Sequence, residues 1–486
     1  MNTDGSELST SKPTSSERLN ELELEYGGPA IVTERGPKGA LKVALNQPLL
    51  AALFAEERLI IYDPELGCFF QYFEKEGIWK SVTEDSLLAD IDQLLLRVTQ
   101  GSMLPLLKAT GLRTRRLFVD LIGLLRGLVE EHSVFETRMP QIVAANGVLR
   151  LDEKNLVFTK HHPTYYARYA SPFAFDQSAS CPEFLKFLNQ CFPESVDRRL
   201  VQAVAAQWLL GKNITQTIIV FHGLGRSGKS TLVSILRGLV GENNCSELRT
   251  EHLTSRFEIF NYLNKSLLIG SDVPGDFLCT AGAHNLKKLT GDDLVSIERK
   301  SVQGFVEMNA ALNIGITSNS ALRLNIQNDT EAWRGRLVIL KFTVPPPANP
   351  VRDLAERLIA EEGSGILNWA LGGIITLIDN GWRLPLAEKH HRAVSNLLDA
   401  SDSLTSFLEN GVEPSYHSDL TMDELCSGYR MYCKDRGWKP LPNAEHQMKA
   451  NAETALGIAQ SHDIKRGSTV CRGFRNLQIK KGVCHG

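Results

Sequence analysis

A glycine-rich stretch near the middle of the chain holds residues whose types and spacing suit phosphate chemistry. The stretch reads GLGRSGKST at 223–231, and it follows the apolar run IIVF at 218–221. Its glycines allow backbone N–H groups to converge on phosphate oxygens, and the start of a helix adds partial positive charge there. The order strand, loop and helix predicts a nucleotide site with the members Gly223, Gly225, Ser227, Gly228, Lys229, Ser230 and Thr231.

Lys229 and Ser230 have separate roles in a site of this kind. The Lys229 ammonium would contact the β- and γ-phosphates of ATP, and the Ser230 hydroxyl would ligate Mg²⁺. A glycine-rich turn without a ligand is the alternative, which the flanking strand and helix disfavour. ATP and Mg²⁺ are therefore the expected substrate and metal.

Two later apolar stretches end in polar side chains that would complete such a site. Asp272 ends the stretch at 266–272, and it would hold the metal-bound water and share the metal with Ser230. Asn319 ends the stretch at 312–319 and would orient the attacking water near the γ-phosphate. An ordinary strand-end carboxylate and an ordinary turn asparagine are the alternatives.

Two arginines, Arg334 and Arg336, lie just before another apolar run at 337–342. An arginine that reaches the transferring phosphoryl group stabilises its developing charge, so either residue is a candidate catalytic arginine. Arginines in surface salt bridges are the alternative interpretation.

With these four elements in order, the chain resembles the superfamily 3 helicases. Within that superfamily it is most similar to the helicase part of phage and plasmid primase-helicases related to the poxvirus primase-helicase. The resemblance also rests on NGVLRLD at 146–152, KLTGDD at 288–293 and EGSGILNW at 362–369. The Asn146-Gly147 pair lies between apolar runs and predicts the turn of a β-hairpin. It spans residues 143–382, and the joint order is more specific than any single motif.

The resemblance implies an AAA+-like core in a homo-hexameric ring that moves 3′→5′ on single-stranded DNA. ATP would lie between subunits, with Arg336 reaching the γ-phosphate held by the neighbour. A β-hairpin at 294–308 would carry Arg299 and Lys300 into the central channel, because a ring of cations can follow phosphates without reading sequence. A solvated charge run is the alternative for these two residues.

The sequence departs from the family pattern in three places. Asp272 stands without an acidic neighbour where the family has Glu or two acids, so the general base is open and Asp276 is a weak candidate. No proline follows Asn319. Arg334 competes with Arg336 for the role of the catalytic arginine.

The C-terminal region at 401–486 has the predicted order helix, helix, helix and strands, which resembles a winged-helix domain. Its final stretch at 462–481 is rich in cations. We expect it to bind fork or origin DNA through Lys465, Arg466, Arg472 and Arg475. A protein-docking winged helix is the alternative.

Composition is ordinary for a soluble globular protein. The net charge of −3 means that contact with DNA must come from local clusters of cations rather than from a global field. The nine cysteines lack zinc spacing and are expected to be reduced thiols. With neither a signal peptide pattern nor an apolar run long enough to span a bilayer, we expect a cytoplasmic protein that does not contact membranes.

The predicted fold class is α/β: an AAA+-like P-loop ATPase core with a helical pre-helicase domain and a C-terminal winged-helix domain. We expect a disordered tail at 1–20, an α+β accessory domain at 21–135, the pre-helicase domain at 136–212, the core at 213–345, a helical lid and linker at 346–400, and the winged helix at 401–486. Asp63 and Asp120 are isolated rather than paired as metal-binding aspartates, so no primase activity is expected. A separate primase or polymerase would then be a partner.

Two other functions remain open from the sequence. A DNA-binding ATP switch or loader would hydrolyse ATP slowly and unwind nothing, and the lone Asp272 favours it. A metabolic P-loop kinase is disfavoured, because it would need neither Arg334 and Arg336 nor a basic C-terminal region. It would also be a monomer or dimer.

Overall fold

A computed structural model describes residues 15–37, 41–100, 106–135, 140–152, 154–255, 257–280, 282–298, 305–320, 322–324, 330–346, 351–436, 438, 440–441 and 444–480. The chain divides into two compact units, of which the first is Met1–Phe175 with Ser296–Met308 and the second is Asp176–Val295 with Asn309–Gly486. This division after residue 175 differs from the domain boundaries expected near 135 and 212.

The first unit combines a helical core with small antiparallel sheets. Its helices are α1 Ser15–Glu25, α2 Gln47–Arg58, α3 Glu84–Gln100, α4 Leu106–Gly111 and α5 Arg115–Leu128. Its strands are β1 Ile31–Arg35, β2 Leu41–Leu45, β3 Ile60–Asp63, β4 Cys68–Phe73, β5 Ile78–Val82, β6 Gln141–Ala144, β7 Gly147–Asp152 and β8 Asn155–Thr159. They form the sheets β1-β2, β3-β4-β5 and β6-β7-β8.

The disordered tail predicted for residues 1–20 is wrong for its last part, because α1 begins at Ser15. The reason is apolar burial: Leu22 of α1 is 1% exposed, and Leu19 packs against the same hydrophobic core. The first residues are mostly polar, which predicts disorder. Leu19 and Leu22, however, are three residues apart and lie on one face of a helix.

The Asn-Gly pair predicted to turn a hairpin does so between β6 and β7, where Ala144 pairs with Gly147. A Cβ at Gly147 would lie 2.4 Å from the Thr159 carbonyl oxygen of β8, so only glycine fits. The region expected to be a helical domain at 136–212 therefore begins with a three-stranded antiparallel sheet.

The rest of the chain alternates helices and strands. The helices are α6 Pro182–Cys191, α7 Ser195–Leu209, α8 Lys229–Val240, α9 Ala283–Thr290, α10 Thr330–Arg336, α11 Leu354–Asp379, α12 Glu388–Ser401, α13 Ser403–Asn410, α14 Met422–Asp435 and α15 Ala444–Leu456. The strands are β9 Ile218–Gly223, β10 Cys245–Glu247, β11 Leu267–Gly270, β12 Asp293–Glu298, β13 Phe305–Ala310, β14 Asn313–Ser318, β15 Leu337–Phe342, β16 Val412–Pro414, β17 Leu420–Thr421, β18 Ser461–Arg466, β19 Thr469–Phe474 and β20 Leu477–Ile479.

A five-stranded parallel sheet forms the centre of the second unit, in the order β10-β11-β14-β9-β15. Strands β9, β11 and β15 are rich in Ile, Val, Leu and Phe, and the middle strand β14 is buried along its whole length, as expected for strands covered on both faces. This arrangement confirms the α/β class of the core. The strands β12 and β13 form a separate two-stranded sheet.

A buried polar network fixes α7 to the amino-terminal edge of this sheet. The Gln207 amide nitrogen lies 3.1 Å from both the Asn213 and the Asn313 side-chain oxygens. The Asn213 amide in turn donates to the carbonyl oxygens of Thr217 and Leu312 at 2.9 and 3.0 Å. Buried amides of this kind specify one arrangement, because an unpaired partner would be costly.

The segment expected to be a helical lid and linker at 346–400 ends in a regular helix rather than an irregular linker, because residues Glu388–Ser401 form α12. Its first turn is held to α7 by Asp197, whose carboxylate accepts from His390 at 2.8 Å and from Lys389 at 2.6 Å. The apolar residues Val394 and Leu398 are buried. The polar, charged sequence of this helix contains no local pattern that predicts these contacts with Asp197.

The C-terminal part has its own hydrophobic core around α13, α14 and α15. Thr421 and Glu424 form a capping box at the start of α14. The strands β18 and β19 pair as an antiparallel hairpin, β17 joins them, and β16 pairs with β20. Among the described helices, none is both long and apolar enough to cross a membrane.

Candidate phosphate-binding site

The glycine-rich loop connects the inner strand β9 to α8, as the sequence predicts. Gly228 adopts φ 96°, a left-handed conformation that favours glycine. A Cβ at Gly223 would lie 2.5 Å from the Phe342 carbonyl oxygen at the end of β15. Both glycines are therefore required by the shape of the loop.

The Lys229 side chain folds back over the loop. Its Nζ donates to the carbonyl oxygens of Gly223 and Leu224, each at 2.7 Å, and the residue is 5% exposed. Burial lowers the pKa of the Lys229 ammonium, and the nearby charge of Asp272 opposes that change. The ammonium therefore lies inside the loop, where its charge interacts with the carboxylate of Asp272, two residues after the end of β11.

Helix α6 packs against the phosphate loop, a contact that the sequence did not predict. The Cys191 Sγ of α6 lies 3.9 Å from the Ser227 carbonyl oxygen, and a Cβ at Gly228 would lie 2.8 Å from that sulfur. Burial raises the pKa of the Cys191 thiol to about 12, so it acts as a neutral packing group.

Glu362 of α11 in turn fixes the start of α6. Its two carboxylate oxygens accept from the backbone N–H groups of Glu183 and Phe184 at 3.0 and 2.8 Å. Three residues further along, Gly365 allows the Ser180 backbone to approach closely, since a Cβ there would lie 2.1 Å from the Ser180 carbonyl oxygen. The EGSGILNW motif thus holds the helix that underlies the loop.

Asp272 and Asn319, predicted separately, contact each other. The Asn319 amide nitrogen donates to the Asp272 Oδ1 at 2.5 Å. Asp272 itself has φ 49°, and its backbone N–H donates to the Thr317 Oγ1 at 2.8 Å. Because carboxyl ends of parallel strands meet at one edge, this pair lies at the same edge of the sheet as the phosphate loop.

The predicted metal ligands are the Ser230 hydroxyl at the start of α8 and the Asp272 carboxylate. In the described part of the chain no group of three or more His, Cys, Asp or Glu could hold a metal. A hydroxyl and one carboxylate suit Mg²⁺, which keeps several waters and takes its remaining ligands from substrate phosphates.

The two candidate arginines lie at the opposite edge of the sheet. Leu337, which follows Arg336, pairs with Ile218 at the start of β9, whereas Gly223 pairs with Phe342 at the far end. Six strand residues at about 3.3 Å each separate Arg336 from the loop by about 20 Å. Neither Arg336 nor Arg334 reaches the loop of its own chain.

Arg334 and Arg336 differ in their surroundings. Arg334 donates to Glu331 at 3.1 Å and to the Ser395 hydroxyl at 2.9 Å. Arg336 makes one long bond of 3.4 Å to the Ala332 carbonyl oxygen, and its buried Nε has no hydrogen-bond partner among the described residues. Arg336 therefore makes fewer hydrogen bonds within its own chain than Arg334 does.

The cations expected to contact DNA form three groups: two that lie outside the described residues, two that form ion pairs, and two that are exposed without an ion pair among the described residues. Arg299 and Lys300 lie outside the described residues, between β12 and β13. Arg466 and Arg475 form ion pairs with Glu424 and Asp463.

The bonds from Arg466 lower the pKa of Glu424 to about 2, so this carboxylate stays charged against its cation. Lys465 and Arg472 are exposed on the β18–β19 hairpin, without an ion pair in the described part of the chain. They remain available to a ligand.

Two parts of the chain match known protein families. Residues 48–193 match the family described as D5 N terminal like, and residues 221–336 match a family of unknown function. The first match crosses the expected boundary at 135, and the second ends at Arg336. The chain therefore joins a D5 N-terminal-like region to a parallel α/β core.

No curated protein sequence matches the chain. Among solved structures, the A form apo structure of the NrS-1 C terminal region is 14% identical, with a TM-score of 0.47 and coverage of 87% of this chain and 98% of that chain. Another apo structure of the same region is 14% identical, with a TM-score of 0.46 and coverage of 88% and 99%.

Proposed function

We propose that this protein is an ATP-dependent DNA helicase of the superfamily 3 type that acts in the replication of a phage, plasmid or other mobile element. The observation that carries the proposal is the set of polar groups at one edge of the sheet: the phosphate loop, Lys229, and the Asp272–Asn319 pair. The D5 N-terminal-like match at 48–193 supports the replication context.

The loop residues fit a nucleoside triphosphate. The Lys229 Nζ bonds two loop carbonyl oxygens at 2.7 Å, and phosphate oxygens are stronger acceptors for the same ammonium. Ser230 and Asp272 would hold Mg²⁺, which when bound neutralises charge on the phosphates. Asp272 and Asn319 would orient the attacking water, since their 2.5 Å hydrogen bond fixes both side chains.

The position of Arg336 supports an AAA+-like ring, with a homo-hexamer as the expected form. A cation about 20 Å from the loop of its own chain, by strand spacing, can serve only another subunit's phosphates. Among the described residues its terminal guanidinium nitrogens make one hydrogen bond, of 3.4 Å, so they can still donate to such a phosphate. Arg334, which Glu331 and Ser395 already engage, is the weaker candidate.

DNA contacts are proposed at two places. Arg299 and Lys300 would line the channel of the ring, and the C-terminal winged helix would bind fork or origin DNA through its exposed Lys465 and Arg472. Binding and hydrolysis of ATP would move the channel residues, and these would carry single-stranded DNA in the 3′→5′ direction. A separate primase or polymerase would synthesise the primers.

The first test is ATP hydrolysis by the purified protein, with and without single-stranded DNA. We expect turnover that DNA stimulates, and we expect Lys229→Ala to abolish it. Lys186→Ala, which removes an exposed lysine from α6, is the matched control and should leave turnover unchanged. Absence of hydrolysis under both conditions refutes the motor.

A DNA-binding ATP switch or loader is the second candidate, because Asp272 has no acidic neighbour to act as a general base. A strand-displacement assay on a forked duplex separates the two functions. Unwinding that requires ATP supports the helicase, whereas hydrolysis without any unwinding supports the switch.

A further inference from the structure

Tyr416 is the most exposed of the large hydrophobic side chains in the described part of the chain, at 90% of its full exposure. It lies in the short loop 415–419, which connects β16 to β17 in the C-terminal part. Isolated exposed hydrophobic residues are common on protein surfaces, so exposure alone assigns no role. A role follows only if the loop and its neighbours are suited to a ligand.

Hydrogen bonds to residues at the start of β20 fix both ends of this loop. The Ser415 N–H donates to the Asn476 carbonyl oxygen at 2.8 Å, which extends the β16–β20 pairing by one residue. At the other end, the Leu477 N–H donates to the Ser418 carbonyl oxygen at 2.9 Å, and the Asn476 N–H donates to the Asp419 Oδ1 at 3.0 Å. The exposed ring therefore belongs to a loop that is held on both sides, which lowers the conformational entropy that is lost when a ligand binds.

The same loop contacts the cationic β18–β19 hairpin. The Arg466 guanidinium donates to the Asp419 carbonyl oxygen and, at 2.8 Å, to the Glu424 carboxylate. Lys465 and Arg472 are exposed on this hairpin and form no ion pair in the described part of the chain. Hydrogen bonds thus connect the loop of the exposed tyrosine to a hairpin with two available cations.

An exposed ring and available cations on connected segments match the chemistry of single-stranded DNA. Phosphates bind the cations, and an unpaired base can stack on an aromatic ring. A base inside a duplex is already stacked on both sides, so it cannot use the ring. Cations alone would bind the phosphates of a duplex without any such ring.

We propose that Tyr416 is a stacking platform for an unpaired DNA base, and that the C-terminal part thereby binds junctions of single- and double-stranded DNA in preference to uninterrupted duplex. The inference deepens the proposed function, on which it rests, by naming the form of DNA that is bound. Lys465 and Arg472 hold phosphates, and the ring of Tyr416 holds a base that has no pairing partner. Because the ring carries no charge, its contribution to affinity does not depend on salt, whereas that of each cation does.

The experiment measures binding of the full chain to a fluorescein-labelled fork with short arms and to a blunt duplex, by fluorescence anisotropy. Tyr416→Ala should weaken binding of the fork by about 5- to 50-fold, as expected for the loss of one stacked aromatic ring. Its affinity for the duplex should change by less than about twofold, and fork binding should keep the wild-type salt slope. Tyr416→Phe keeps a ring and should bind the fork within about threefold of the wild type. Leu24→Ala, which removes a side chain that is 85% exposed from α1, is the control and should bind both DNAs as the wild type does.

Three outcomes overturn the inference. One is a fork affinity of Tyr416→Ala equal to that of the wild type, which would point to a protein partner for the ring instead. Another is an equal loss of affinity for fork and duplex, which would indicate a general change in the hairpin. The last is a Tyr416→Phe variant that binds the fork as weakly as Tyr416→Ala. If the wild type binds no DNA, the inference fails as well, while the assay of ATP hydrolysis still reports separately on the proposed motor.

Discussion

Replacement of Gly365 by alanine should destabilise the protein, although alanine is the better helix former. Gly365 lies inside α11, where alanine in place of glycine adds about 1 kcal/mol of helix stability. The new Cβ, however, would lie 2.1 Å from the Ser180 carbonyl oxygen and 2.9 Å from the Cys181 nitrogen. Both are backbone atoms and cannot rotate away, and overpacking of this kind costs about 1–3 kcal/mol or more.

Because the overpacking is against backbone atoms, its cost lies at the upper end of that range, and the net expectation for Gly365→Ala is a loss of about 2 kcal/mol, seen as a lower denaturant midpoint. Gly372→Ala is the matched control in the same helix. Its Cβ would meet the Gln202 side-chain amide, with the nitrogen at 2.9 Å and the Cδ at 3.7 Å, at the end of a side chain. This control should be neutral or stabilising by up to about 1 kcal/mol.

Replacement of Gly365 by alanine should also change the position of the phosphate loop. Ser180 and Cys181 lead into α6, whose Cys191 lies against Gly228. We therefore expect Gly365→Ala to weaken binding of a fluorescent ATP analogue, while Gly372→Ala does not. Equal stability and equal affinity of the two variants would refute the reasoning that α11 positions the loop through α6.

Three further predictions follow from the arrangement of the second unit. Arg336→Ala and Lys229→Ala should each lack ATPase activity, and a mixture of the two should regain part of it; a mixture that stays inactive at every ratio argues against shared sites. Burial raises the pKa of Asp197, but the hydrogen bonds from His390 and Lys389 of α12 outweigh this effect. The pKa of Asp197 therefore lies below its usual value. The stability from this cluster is complete above about pH 4 and is lost as the pH falls. Asp197→Asn should therefore flatten the fall of melting temperature below pH 4, and an unchanged slope contradicts this. Arg472→Ala should weaken binding of forked DNA and reduce its salt dependence by about one unit of slope, as measured by fluorescence anisotropy; an unaltered slope excludes this residue from the interface.

Local patterns in the sequence predicted the elements whose signals lie within a few residues. The loop between β9 and α8 and the Asn146-Gly147 turn are of this kind, because strand, glycine spacing and helix period are read directly from neighbours. The pairing of Asp272 with Asn319 could be anticipated only in outline. Both were expected at strand ends, and the parallel order of β11 and β14 then brings them together.

The supports of the site could not be predicted in the same way. Cys191 and Gly228 are far apart in the chain, and Glu362 is further still from the α6 backbone that it caps. Such contacts leave no periodic signal, and a lone Cys or Glu has no preferred interpretation. Arg336 was expected to act on a neighbour because of the family resemblance, whereas the strand register gives the physical reason.

The closing of the sheet by β15 has a consequence for how the chain folds. Strand β9 lies inside the sheet between β14 and β15, and β15 is synthesised more than a hundred residues later. Parallel pairings between distant segments form slowly, because the loop-closure entropy must be overcome first. Gly223 takes its position against Phe342, the last residue of β15. The phosphate loop should therefore reach its final shape late in folding, and a nascent chain that ends before β15 should not bind nucleotide.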